Sequence, residues 1–171
     1  MLDVIYNRRS TKKFLNKKID RELIDKVIKA GTLAATGRNL QSPIIICVNN
    51  EELRNRLAKA NAEIMGVNID PFYGAPTVLI VLAKKDVSTH VYDGSLVMGN
   101  MMLAAESLGL GSCWIHRARE VFETELGREI LTNLAIEDEY EGIGNLVIGY
   151  KSPDYQAKTK KLKDDWVYYI D

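Results

Sequence analysis

The stretch SLVMGNMMLAAESLGLG, residues 95–111, constrains this chain more than any other, because its apolar side chains fall nearly all round a helical wheel and Glu106 is its one charge. A helix without a polar face belongs inside a structure, packed on several sides. Gly109 and Gly111 are expected to end it. Met98, Met101 and Met102 read as flexible core filler. The two glycines in this helix, with Ala104 and Ala105, point to close approach of another helix, one that a second subunit could supply.

The flanking segments supply what such a helix would pack against. Apolar residues at helical spacing after Asp20, namely Leu23, Ile24, Val27 and Ile28, predict a capped amphipathic helix reaching to about Gly37. Two β-branched runs, PIIICV at 43–48 and TVLIVLA at 77–83, predict strands, the first buried on both faces; a helix over EELRNRLAKAN, 51–61, separates them. Beyond the central helix, SCWIH at 112–116 reads as a third strand, residues 119–134 as a helix weakened by Gly127, and GNLVIGY at 144–150 as a fourth strand. After Pro153 a basic segment closes on WVYYI, whose alternation suggests an added edge strand. Helices and short buried strands around one apolar helix indicate an α+β class. With no repeat or linker to divide it, the chain is expected to form a single domain over residues 1–171.

Composition narrows the partners. Lys plus Arg and Asp plus Glu both number 23, so no global field draws the protein to nucleic acid or to an anionic membrane. No apolar run approaches the roughly 18 residues of a membrane span, and no secretory h-region follows the N-terminus, so a cytoplasmic location is expected. Cys47 and Cys113 lie in separate apolar contexts and read as buried free thiols rather than as a disulfide or a metal pair.

The familiar catalytic templates are missing: there is no G-x-G-x-x-G after a strand, no P-loop, no G-x-S-x-G elbow and no H-E-x-x-H. His90 reads as a surface histidine. His116 stands at a strand end beside Arg117 and Arg119. What remains is local charge. Arg8, Arg9, Lys12 and Lys13 crowd with Ser10 and Thr11 into RRSTKKF, and Lys158, Lys160, Lys161 and Lys163 form a second cluster near the other end. A guanidinium fork, a hydroxyl and one or two ammonium groups suit a phosphate monoester. A solvated basic turn is the alternative.

Arg8-Arg9-Ser10-Thr11-Lys12, followed at a helix's distance by Asn39-Leu40-Gln41-Ser42-Pro43 and an apolar strand, resembles the nitroreductase family of FMN-dependent flavoproteins. FYGAPTVLIV (72–81), MGNMMLAAESLGLGSCWI (98–115) and IGNLVIGY (143–150) with Lys158-Thr159-Lys160 follow in the family's order. The resemblance therefore covers nearly the whole chain. It implies a nitroreductase-like α+β fold, a central mixed or antiparallel sheet flanked by helices around the apolar helix, and a homodimer whose two subunits share each flavin site.

The resemblance also implies roles. Arg8, Arg9 and Ser10, with Lys158 and Lys160 of the tail, match positions that hold the flavin phosphate and ribityl chain. Lys12 matches the cation near the flavin N1 and O2 edge, and Asn68 an asparagine at the ring edge. Thr36, Gly37, Arg38, Asn39 and Gln41 match the loop that a second subunit brings over the flavin. Trp114, Ile115 and His116 match the strand end that passes the ring. Pro71 stands where larger members carry a second lysine near N1, which leaves Lys12 alone there.

On that resemblance the expected activity is transfer of hydride from NAD(P)H through FMN to a small-molecule acceptor, a nitro compound or quinone, by a ping-pong mechanism with no catalytic side chain. That explains why no nucleophile is found. Two alternatives stay open: a nitroreductase-fold enzyme with another flavin reaction, of the dehalogenase or flavin-fragmenting type, and a flavin-binding protein without turnover. Phe72, Tyr73, Tyr92 and Trp114 are aromatic candidates for a pocket wall, with core packing expected for at least half of them.

Overall fold

A computed structural model describes residues 2–170. Among these, four strands form one sheet: β1 (Pro43–Val48), β2 (Thr77–Lys84), β3 (Leu110–Ile115) and β4 (Tyr140–Tyr150). Their order is β1-β2-β4-β3, and every neighbouring pair is antiparallel. The α+β expectation holds, with the antiparallel form of the sheet.

Strand alternation divides the core in two. From β2, Val78, Ile80 and Leu82 point to one face, where α3 (Glu51–Met65), α5 (Ala118–Phe122) and α6 (Glu125–Asn133) cover them. Leu79, Val81 and Ala83 point to the other, under α2 (Arg21–Thr32) and α4 (His90–Ser107). Each Leu or Ile buried in this way contributes about 1.5–3 kcal/mol. A short α1 (Leu2–Asn7) precedes the layers, and no helix among the described residues is long and apolar enough to cross a membrane.

The apolar helix is α4, and it is covered on one side. Asp93, Val97, Met98, Met101 and Ala105 make its buried stripe, while Leu96 and Tyr92 on the remaining flank are 51% and 73% exposed. Helix α2 of the same chain comes close to α4, where a Cβ on Gly31 would lie 2.8 Å from Met101 Cγ. The glycines of α4 itself, however, meet no other helix among the described residues: a Cβ on Gly94 would meet Ile143 of β4, and one on Gly99 would meet nothing within 4 Å. Met98 and Met101 are fully buried filler.

Several sequence expectations are corrected. Helix α2 stops at Thr32, and Gly37 opens a separate 3-10 turn, Gly37–Asn39. Strand β1 lies at the sheet edge, so it is half-buried rather than buried on both faces, and Cys47 is half-buried with it, whereas Cys113 is buried. The helix expected over 119–134 breaks into α5 and α6. Gly127 permits the break, because a Cβ there would meet Phe122 Cα at 2.3 Å. Strand β4 starts at Tyr140, earlier than its apolar run, through a bulge opposite Val81 and Leu82. WVYYI forms no strand: residues 166–170 are exposed and no described strand pairs with them, and a strand needs a ladder partner. His90 is no surface residue. It begins α4, with a 17% exposed side chain and Nδ1 2.8 Å from the Val87 carbonyl.

Candidate functional site

The basic segment runs along the free edge of β3. Ser10 bridges Ser112 in parallel, and the Thr11 N–H donates to the Ser112 carbonyl at 2.9 Å. Thr11 is buried between exposed Ser10 and Lys12, so alternation sends those two side chains the same way, outward. Gly111 allows this seating, since a Cβ there would meet Thr11 Oγ1 at 2.7 Å. Beyond Ser112 no strand among the described residues pairs with the outer edge of β3, which leaves the outward-facing backbone groups of the 114–116 stretch open to a ligand.

The tail is brought to the same edge. Phe14 bridges Lys151, Lys13 pairs with Asp154, and the Tyr155 hydroxyl donates to the Ser10 carbonyl at 3.1 Å. Lys158 and Lys160 follow Tyr155 within a few residues of chain, both exposed. Arg9 folds its Nη1 onto the Tyr6 carbonyl at 2.7 Å. Arg8 differs: its Nη1 is buried and has no hydrogen-bond partner among the described residues. A buried guanidinium donor without an acceptor is costly, so the position suits an anion's oxygen.

Beside Lys12 opens a cleft of about 180 Å³. Lys12, Arg117, Tyr73, Trp114 and His116 line it, Pro71 and Ile69 close one side, and no Asp or Glu contributes. Its polar character is thus cationic. Burial pushes the Cys113 thiol up, while the Ser10 hydrogen bond and the charges of Lys12 and Arg8 pull it the other way. A larger cavity, about 510 Å³, lies between α2 and α3 and holds none of the sequence-selected residues. Size and chemistry point to different places; the charge pattern and the exposed strand edge favour the smaller cleft.

The end of β3 is held from behind. Asn61, fully buried on α3, donates Nδ2 to the His116 carbonyl at 2.7 Å, and Asn145 of β4 reaches it at 3.5 Å. Arg117 then takes φ +73° to start α5. The His116 side chain is exposed at the cleft, whereas Asn68 is exposed on the adjoining loop and does not line it.

The loop at 36–41 lies elsewhere, against the start of α4. Asp93, 2% exposed, accepts from the Gly37 N–H at 2.9 Å, from Thr89 Oγ1 at 3.0 Å and from Ser42 Oγ at 3.4 Å. Arg38, Asn39 and Gln41 all have φ between +50° and +55°. Within one chain no residue of this loop lines the cleft. Of the aromatic candidates, Phe72 is fully buried core, Tyr92 lies exposed on α4, and Tyr73 and Trp114 reach the cleft. Arg117, Asn61 and Asp93 were not selected from sequence as site residues; only Arg117 carried a signal, as a cation at a strand end.

The family model for nitroreductases matches residues 5–72 and 67–150. The chain belongs to the nitroreductase family. A relative from Archaeoglobus fulgidus, bearing the name NADH dehydrogenase/NAD(P)H nitroreductase, is 31% identical over 67% of this chain, and the match spans 66% of that relative, just under two thirds. Among solved structures, a nitroreductase with bound FMN from Bacteroides fragilis superposes with a TM-score of 0.89 at 27% identity, covering 99% of this chain and 98% of that one. An oxidized iodotyrosine deiodinase bound to FMN and 3-iodo-L-tyrosine shares the fold, with a TM-score of 0.77 at 20% identity over 99% and 98% of the two chains. The nitroreductase-like fold expected from the sequence is the fold found.

Proposed function

We propose that this protein is an FMN-dependent oxidoreductase that passes reducing equivalents from NAD(P)H to small acceptors such as nitro compounds or quinones by a ping-pong mechanism. The observation that carries the reading is Arg8 Nη1, buried with no partner among the described residues, just ahead of the Ser10 bridge to the free edge of β3. The donor set fits FMN: Arg8, Arg9 and Ser10, with Lys158 and Lys160, for phosphate and ribityl chain; Lys12 for the N1 and O2 edge; the 114–116 backbone for the rest of the ring. Bound FMN supplies the hydride-transfer chemistry.

The chain's own residues bind and polarise. Lys12 would favour negative charge on a ring edge held beside it, and Asn61, by occupying the His116 carbonyl, holds the strand end rigid while leaving its outer edge available. No side-chain acid or nucleophile is required. The uncovered apolar flank of α4, with Leu96 and Tyr92 exposed, supports a homodimer, and the strained 36–41 loop is the segment one subunit would bring to its partner's flavin. The purified protein should be yellow, release FMN on denaturation and bleach anaerobically with NADH or NADPH. A colourless protein that takes up no FMN at micromolar concentration would refute this reading.

The deiodinase's place among the fold neighbours keeps a different flavin reaction as a second reading. Turnover of NAD(P)H with a nitroaromatic separates the two.

A further inference from the structure

Lys12 has no carboxylate partner within salt-bridge distance among the described residues; the contact its ammonium makes is with the face of Tyr73, 5.7 Å from the ring centroid. Tyr73 is not there by default. It sits at φ +54°, a region that a bulky side chain enters only when its surroundings compel it, and Gly74 follows at φ +72°.

What compels it is Asp70. The Asp70 carboxylate accepts from the Phe72 N–H at 2.9 Å and from the Gly74 N–H at 2.8 Å, bracketing Tyr73, while the Asp70 carbonyl accepts the N–H of Tyr73 itself at 3.2 Å. The carboxylate is in turn fixed by Arg54 of α3, whose Nη2 lies 2.5 Å from Oδ2. Arg54 is 8% exposed; its Nε donates to the Ala75 carbonyl at 3.0 Å and its guanidinium stacks 5.5 Å from the Phe72 ring centroid. Both ends of the 70–75 turn are therefore tied to one rigid helix.

We propose that Asp70 and Tyr73 are positioning residues for Lys12: the Arg54-held turn sets the Tyr73 ring as a rest for the ammonium, which fixes its charge at the flavin ring edge and so sets the reduction potential of bound FMN. This rests on the FMN reading above. The physical basis is that an aromatic face restrains and stabilises a cation without neutralising it, as a carboxylate would. With Pro71 where a second lysine could stand, the placement of this one charge governs how readily the ring accepts electrons.

The test is the midpoint potential of the FMN-loaded full chain, measured by dye equilibration in wild type, Tyr73→Phe, Tyr73→Leu and Asp70→Asn, with Tyr73→Leu repeated in a Lys12→Ala background. Tyr73→Phe should match wild type, because the ring remains. Tyr73→Leu and Asp70→Asn should each shift the reduced-to-oxidised equilibrium threefold to tenfold toward oxidised, up to about 30 mV for a two-electron couple. In the Lys12→Ala background Tyr73→Leu should change nothing further. Equal potentials in Tyr73→Leu and wild type, an equal fall with and without Lys12, or loss of FMN binding in Tyr73→Leu each overturn the proposal. Should Asp70→Asn fail to fold, Arg54→Lys reads the same link. Failure of the wild type to take up FMN would instead overturn the function on which the proposal rests.

Discussion

Gly144 of β4 lies against the indole of Trp114 on β3, so closely that a Cβ at 144 would stand 2.5 Å from Nε1. Trp114 lines the cleft while its side chain packs on the α4-side core, and the contact fixes how far the indole can settle toward the sheet. Gly144→Ala must tilt the indole or move the strand. The expected cost is about 1–3 kcal/mol of stability, as for other overpacked sites, with weakened FMN binding. Urea melts followed by tryptophan fluorescence, with a flavin titration, would detect both; an unperturbed emission spectrum with wild-type affinity would contradict the contact.

Arg8 offers a cleaner measurement because its buried Nη1 has nothing to lose but a ligand. Arg8→Ala should weaken FMN binding by about 1.5–3 kcal/mol, the range for a hydrogen bond to a charged group. Arg8→Lys, which keeps the charge but not the fork, should fall between. Equilibrium flavin titration decides, and equal affinities in all three proteins would remove Arg8 from the phosphate site.

Asp93 holds the 36–41 loop from beneath through Gly37, Ser42 and Thr89. Asp93→Ala leaves those donors without an acceptor in a buried setting and should cost about 1–3 kcal/mol. The loop should also loosen first. Hydrogen exchange would show it as early loss of protection at Gly37; protection equal to wild type would refute the anchoring role.

Burial pushes the thiols of Cys113 and Cys47 up. A thiol whose folded value lies above its unfolded one, about 8.5, gives its full contribution to stability below that value. The contribution is lost as pH rises from there through the raised folded value. Wild type should therefore lose stability on the alkaline side more steeply than Cys113→Ala, in which only Cys47 remains. Denaturant midpoints at neutral and at alkaline pH test this, and parallel slopes in the two proteins would count against it.

What could be read from sequence followed how local the signal was. Helix α4 and strand β2 declared themselves because burial repeats at every turn or every residue of one segment. Gly127 flagged a weak point in the helix over 119–134 but not where it breaks, between Phe122 and Glu125, because the close packing of Gly127 on Phe122 leaves no periodic trace. The early start of β4 was illegible because its bulge depends on Val81, a contact distant in sequence. WVYYI has the alternation of a strand but no neighbour to pair with, and pattern alone cannot supply one. In the site, Arg8, Ser10 and Lys12 were visible as an unusual local charge. Arg54 and Asp70 were not, since their pairing joins a helix to a turn 16 residues on and either residue alone looks like ordinary surface. Asp93 lay in the first turn of α4, ahead of the apolar stretch that marked the helix.

The loop after α2 has a consequence for anyone trying to improve this protein. A segment that had only to change direction would run more comfortably with glycine at 38, 39 and 41, where the backbone angles charge each L side chain about 1–2 kcal/mol, least for asparagine. Glycine substitutions there are predicted to raise the melting temperature. They would also delete a guanidinium and two amides that the chain keeps at that expense, so the most heat-resistant variant should be the one least able to hold its ligand.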